Sequence, residues 1–259
     1  MEMDVDAGME LNRAELEAVG MRLADRSYLQ GAFHVAFGSV PTAQMMRTLG
    51  SGQTLACLDR LGQACAGAPG NGLAIEVGMG DERHAVSASQ VIDETRALLA
   101  RMAERADDPV AVDDLKEAYT RLLRVPGDAY VHPWEAPYVG KESMIFQEST
   151  LDVRKRFAAY GYVSAAYKHF PEDHISALFD FLARLSSTAY EAFADGDDAR
   201  VLEVLRSQQE MVDGHILTWI DKFGQGLWLK DRSHVYFQLW CALRVFLLVD
   251  GAFMEKMLA

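Results

Sequence analysis

The sequence predicts an all-α protein, and three observations carry that expectation. Apolar residues recur at intervals of three and four along most of the chain. Capping signatures stand before several of those runs. Strand-like alternation is confined to residues 73–77, Leu-Ala-Ile-Glu-Val, which sit among glycines. Taken in order, Asn12 with Glu15 reads as a capping box opening a helix through Leu16, Val19 and Leu23 to Phe37, where Gly38-Ser39-Val40-Pro41 stops it. Thr42 starts the next, through Met45, Met46 and Leu49. Ser87 with Gln90 caps a segment carrying Val91, Ile92, Leu98, Leu99 and Met102; Asp114 with Glu117 caps one through Leu115, Tyr119, Leu122 and Leu123. In the C-terminal half, Ile175, Leu178, Phe179, Leu182 and Leu185 form an apolar stripe. Val201, Leu205, Gln208, Val212, Ile216, Trp219 and Phe223 read as a second, continuous one, and Val235, Leu239, Leu243, Phe246 and Leu247 as a third. The sum is roughly ten helices packed as a bundle.

Two loops interrupt this pattern. Residues 64–80 contain Gly67, Gly70, Gly72, Gly78 and Gly80, but Gly78-Met79-Gly80 lacks the strand–turn–helix setting and the lysine of a phosphate loop, so a surface excursion is expected. Residues 125–141 hold three of the seven prolines, which predicts a stiff, extended segment.

Composition excludes several functions. Half the residues are apolar and 24% are charged, the balance of a globular chain with a large core. Thirty-eight Asp and Glu against 25 Lys and Arg leave a net charge of −13, which opposes nucleic acid and anionic membrane and suits a basic partner. Cys57, Cys65 and Cys241 form no C-x-x-C and no disulfide framework; reduced thiols are expected. Residues 1–6 are acidic, without the basic and apolar regions of a secretory signal. The most apolar stretch, 239–249, is broken by Arg244 and reads as too short to cross a bilayer. A soluble cytoplasmic protein with no integral membrane segment is expected.

No signature of a hydrolase, zinc protease, phosphate loop or calcium loop occurs. The histidines are His34, His84, His132, His169, His174, His215 and His234, and none pairs with another His or a carboxylate at i,i+4 in the way a helical metal site needs. His169 and His174 are separated by Pro171 and do not share a helical face. No catalytic residue, metal or cofactor is expected. The competing readings are a metal-dependent helical enzyme using His169, Asp173 and His174, and a plain acidic scaffold.

Two junctions remain. In Tyr130-Val131-His132-Pro133-Trp134-Glu135-Ala136-Pro137-Tyr138, a tryptophan is held between two prolines. Trp134 either plugs the core beneath the loop or, with Tyr138, walls an apolar peptide groove in which Glu135 accepts from a basic side chain. In His169-Phe170-Pro171-Glu172-Asp173-His174-Ile175, Glu172 and Asp173 sit at a helix start, where the helix dipole favours them and Asp173 could be the cap. A hinge presenting carboxylates to a cation is the alternative. The two junctions flank what reads as one helical stretch, 149–170.

These junctions carry a resemblance. Pro133-Trp134-Glu135-Ala136-Pro137-Tyr138, followed by Pro171-Glu172-Asp173-His174, resembles the paired signatures of the TorD/DmsD/NarJ family of molybdoenzyme maturation chaperones. Arg26-Ser27-Tyr28-Leu29, Phe37-Gly38, Tyr160-Gly161, His215, Trp219, Phe223 and Asp250 agree with it, so the likeness spans roughly Leu23 to Asp250. Ala136-Pro137 stands where the family often has serine–valine, Leu178 where it often has glutamate, and the glycine-rich excursion has no counterpart. The resemblance implies a non-catalytic cytoplasmic chaperone that binds the twin-arginine leader and apo form of a molybdopterin-containing oxidoreductase subunit, assists cofactor insertion and delays export. It implies a single TorD-like domain, 1–259, in two closely packed helical lobes at about 10–168 and 174–259 with a hinge at 169–173, and allows a homodimer by lobe exchange. Leader-binding residues would be Pro133, Trp134, Glu135, Tyr138, Pro171, Glu172, Asp173 and His174. A NarJ-like chaperone for a non-exported client, whose remnant leader need not carry two arginines, is the alternative within the family.

Overall fold

A computed structural model describes residues 13–66, 72–78, 80–140, 147–163 and 171–259. The first helix, α1 (Arg13–Gly38), stops where the sequence indicates; Asn12, read as part of its cap, lies outside the described residues. Thr42 caps α2 (Ala43–Leu49), its hydroxyl accepting from Met45 N at 3.1 Å. After α3 (Gly52–Ala66), β1 (Ala74–Val77) pairs antiparallel with β2 (His84–Ser87), Ala74 facing Ser87 and Val77 facing His84. The alternation at 73–77 is therefore a real strand, whereas β2 buries none of its four residues and left no periodic trace. Ser87 precedes α4 (Ala88–Glu104), but its hydroxyl pairs with Ser89 at 2.9 Å and makes no cap bond.

Three boundaries differ from expectation. α5 (Pro109–Tyr119) begins ahead of Asp114: Asp108 caps it, accepting from Val110 N at 3.0 Å, with Pro109 in the first turn, where no N–H is needed. A π-helical turn, Thr120–Arg124, closes it. The proline-rich loop is not wholly extended, because α6 (Ala136–Val139) forms one turn after Glu135. The stretch 149–170 is not one helix: α7 (Glu148–Ala159) ends at Tyr160, with Gly161 at φ 65° in the left-handed conformation a helix C-terminus favours, and residues 164–170 lie outside the described set.

α8 (Ile175–Ala194) precedes α9 (Asp198–His215) and α10 (Ile220–Lys230), two helices where the stripe 201–223 predicted one. The break is stabilised by the Trp219 indole, which donates to the His215 carbonyl at 2.6 Å. Ile216 and Trp219 stay buried across it, so the apolar spacing does not register the break.

α11 (Val235–Leu258) is long and apolar enough to cross a membrane, correcting the expectation from 239–249. Here it is a core helix, with Tyr236, Leu243, Val245 and Phe246 buried. It carries the buried Asp250, which accepts a two-pronged bond from Arg26 of α1 at 2.6 and 3.1 Å. α1 packs along α8 through small polar residues: Ser27 meets the Ser187 hydroxyl at 2.8 Å. A Cβ on Gly38 would lie 2.0 Å from the Ser176 hydroxyl, so only glycine lets the end of α1 reach the start of α8. Phe33 meets Phe179 of α8 and Phe246 of α11, each at 5.7 Å, so segments before and after residues 169–173 share one core. All three cysteines are free and buried.

Candidate functional site

The two junctions that stand out in the sequence are hydrogen-bonded to each other. Glu135 N donates to the Asp173 carbonyl at 3.1 Å and Ile175 N to the Pro133 carbonyl at 2.8 Å, setting Trp134 and His174 opposite one another in a short antiparallel bridge. Their rings meet edge to face at 5.0 Å. The Asp173 side chain adds a third tie, accepting from Ala136 N at 2.8 Å.

Beside this bridge, between the end of α1, the π-helical turn and the first turns of α8, lies a cavity of about 570 Å³. Trp134, Pro171 and His174 reach it from the junctions; Val40, Leu123 and Tyr162 add apolar surface, and Arg124 and Asp180 add one charge of each sign. Asp180 accepts from the Tyr162 hydroxyl at 2.6 Å. Trp134 is half-buried, and its indole N–H is buried without a partner. A more open cavity of equal volume, near Lys116 and Pro126, receives neither junction.

The other predicted residues point elsewhere. Glu172 is buried and gripped by both prongs of Arg154 at 2.8 and 2.9 Å. Asp173 is fully buried, and burial raises its carboxyl above the usual range. Glu135 is 2% exposed and faces His215 of α9, its Oε2 lying 3.0 Å from Nδ1. Tyr138 stacks on Trp219 at 5.4 Å and donates to the His132 carbonyl at 2.8 Å, away from the cavity lining. Pro133 supplies the bridge carbonyl. The lining therefore combines Trp134, Pro171 and His174, without the carboxylates of Glu135, Glu172 and Asp173.

The cap of α8 is His174, not Asp173: Nδ1 of His174 accepts from Ser176 N at 3.1 Å. That bond fixes the neutral tautomer with its proton on Nε2. Burial, and then the neighbouring His34, push its pKa down from 6.5 to about 4. A depressed histidine favours the folded state above its unfolded pKa, so this contribution is lost as the pH falls from 6.5 through about 4. His174→Ala is expected to cost about 1 kcal/mol near neutral pH, as for other lost caps, and His174→Asn much less. Both should flatten the acid side of the stability profile, measured as urea midpoints against pH.

Sequence reasoning placed His215 among the positions that agree with the family but gave it no role, and it missed Asp152 and Asp180. His215 lies 80 positions from Glu135 and 63 from Asp152, a separation no local spacing can reveal. Among the described residues, no group of three or more His, Cys, Asp or Glu side chains is arranged to hold a metal ion; His169 lies outside them.

The helical scaffold thus ties two loops to each other beside one cavity. Residues 88–225, more than half the chain, match the nitrate reductase delta subunit family, and the chain belongs to it, within the NarJ/TorD group of molybdoenzyme maturation chaperones. It is a chaperone and not an enzyme. The chaperone protein TorD of Vibrio parahaemolyticus is 22% identical over 178 residues, covering 62% of this chain and 81% of that one. The chaperone protein TorD of Photobacterium profundum is 25% identical over 122 residues, covering 47% of this chain and 55% of its own.

Proposed function

We propose that the chain acts in the cytoplasm, binding the leader and apo form of a molybdopterin-containing oxidoreductase subunit while its cofactor is inserted and holding back export until then. The observation that supports this reading is the cavity of about 570 Å³ into which both junctions send a side chain, Trp134 from one and Pro171 and His174 from the other. Its apolar walls suit the hydrophobic stretch of a leader. Asp180, which pairs with Arg184 at 3.4 Å, is the carboxylate among the lining residues, and Trp134 offers its ring to the leader's apolar side chains. The carboxylates of Glu135, Glu172 and Asp173 act behind the groove, holding the loops that shape it.

A second reading draws on those same carboxylates. With all three turned inward and Asp180 already bonded to Tyr162, the groove offers little charge for two arginines, which favours a non-exported client whose remnant leader lacks them. Calorimetric titration with a twin-arginine leader, its twin-lysine counterpart and an arginine-free leader of equal hydrophobicity separates the readings. The first predicts that lysine weakens binding on the order of tenfold, because an ammonium lacks the guanidinium fork. Equal affinities for all three favour the second, and no binding by any of them overturns both.

A further inference from the structure

The loop bearing Trp134 is anchored by a charge that the groove does not use. His215 sits between two carboxylates: its Nδ1 is 3.0 Å from Oε2 of Glu135, and its Nε2 is 2.9 Å from Oδ2 of Asp152 on α7. A neutral imidazole has one N–H and one lone pair. With both nitrogens at bonding distance from acceptors, a neutral ring would set its lone pair against a carboxylate oxygen; only the imidazolium donates to both. The two carboxylates bonded to the ring favour that extra proton, while the nearby Arg156 guanidinium opposes it. Arg156 of α7 pairs with Asp152 at 3.0 Å and with Glu210 of α9 at 3.2 Å, while Asp173, at the start of α8, adds a further buried carboxyl close enough to act on Glu135. Four carboxyl groups thus surround two cations.

The same end of α9 holds the rest of the segment. The His215 carbonyl accepts from the Trp219 indole, Trp219 stacks on Tyr138, and the Tyr138 hydroxyl reaches back to the His132 carbonyl. Trp134 lies between the two anchored points, His132 and Glu135.

Resting on the groove as the leader site, we propose that His215 is its positioning residue: the imidazolium fixes Glu135 and thereby the placement of Trp134, and loss of the proton releases the loop and weakens the leader's hold. The electrostatics agree in sign. Burial alone lowers the pKa of His215, but the bonds to Glu135 and Asp152 outweigh it and hold it above the ordinary value of 6.5. The hold is complete below that ordinary value and is lost as the pH rises through the raised one.

The test follows the Trp134 indole and His215 ring signals by NMR on the full chain between about pH 6 and 9, with leader affinity measured over the same range. The indole is expected to shift along the His215 titration, and affinity to fall on the order of tenfold with it. Glu135→Gln supplies an amide that can donate to a neutral ring, so this variant should hold the indole in its low-pH position throughout and bind independently of pH. His215→Leu, which removes both ring N–H donors, should show the high-pH indole position at every pH. An indole that ignores the His215 titration in the unsubstituted protein overturns the proposal, as does Glu135→Gln retaining the original pH profile. A leader that binds at no pH overturns the groove reading instead, and the two ring signals still decide the role of His215.

Discussion

Arg26→Ala is expected to lower the free energy of unfolding by about 3–5 kcal/mol, the usual cost of removing one partner of a buried ion pair. Arg26 is fully buried, and its guanidinium grips both oxygens of Asp250, itself 1% exposed. The substitution strands that carboxylate in the core with Arg22, 3.5 Å away, as its remaining partner. Arg22 does not replace the lost guanidinium in place, since it approaches Asp250 through one nitrogen at 3.5 Å where Arg26 makes two bonds at 2.6 and 3.1 Å. A urea titration should show a lower midpoint with an unchanged slope. The double variant Arg26→Met, Asp250→Leu separates charge from packing, because replacing both partners with apolar groups should recover most of the loss. No recovery would mean that the contact of Arg26 with Phe253, centred 5.5 Å away, matters more than the ion pair.

Trp134→Ala is expected to weaken leader binding by about 2 kcal/mol or more, roughly 30-fold, as truncating a central aromatic anchor does. Stability should move little. The indole is half-buried and its N–H bonds to nothing in the protein, so alanine removes ligand-facing surface without orphaning a polar partner. Trp134→Phe should retain part of the affinity by keeping the ring against His174. Calorimetry for binding and thermal melting for stability separate the effects. A fall in melting temperature matching the loss of affinity would make Trp134 a core plug.

Much of this protein was legible in its residues. Stripes such as Ile175, Leu178, Phe179 and Leu182 became the buried face of α8 because helical spacing places them on one side. Thr42 and Gly38 marked a start and a stop through their own chemistry, one as a side-chain acceptor and the other as a missing Cβ. Where two signals competed, the pattern misled. Asp114 resembled a cap, but Asp108 stands directly before Pro109, which is built for the first turn. The stripe 201–223 concealed a break because Ile216 and Trp219 remain buried on either side of it.

The sequence by itself determined the helical class, the two junctions and the family, since each rests on residue types at short range: apolar periodicity, prolines flanking a tryptophan, and an Asp-His pair before an apolar helix. Only the tertiary structure decided which way the side chains of those junctions face. Glu135, Glu172 and Asp173 read equally well as ligand acceptors until His215, Arg154 and Ala136 are seen beside them. Asp180 enters the groove only because α8 packs against the end of α1 at Gly38. The physical reason is range. Hydrogen bonds and ion pairs act over a few ångströms of space, whereas their partners here are drawn from across the chain, and the fold alone brings them together.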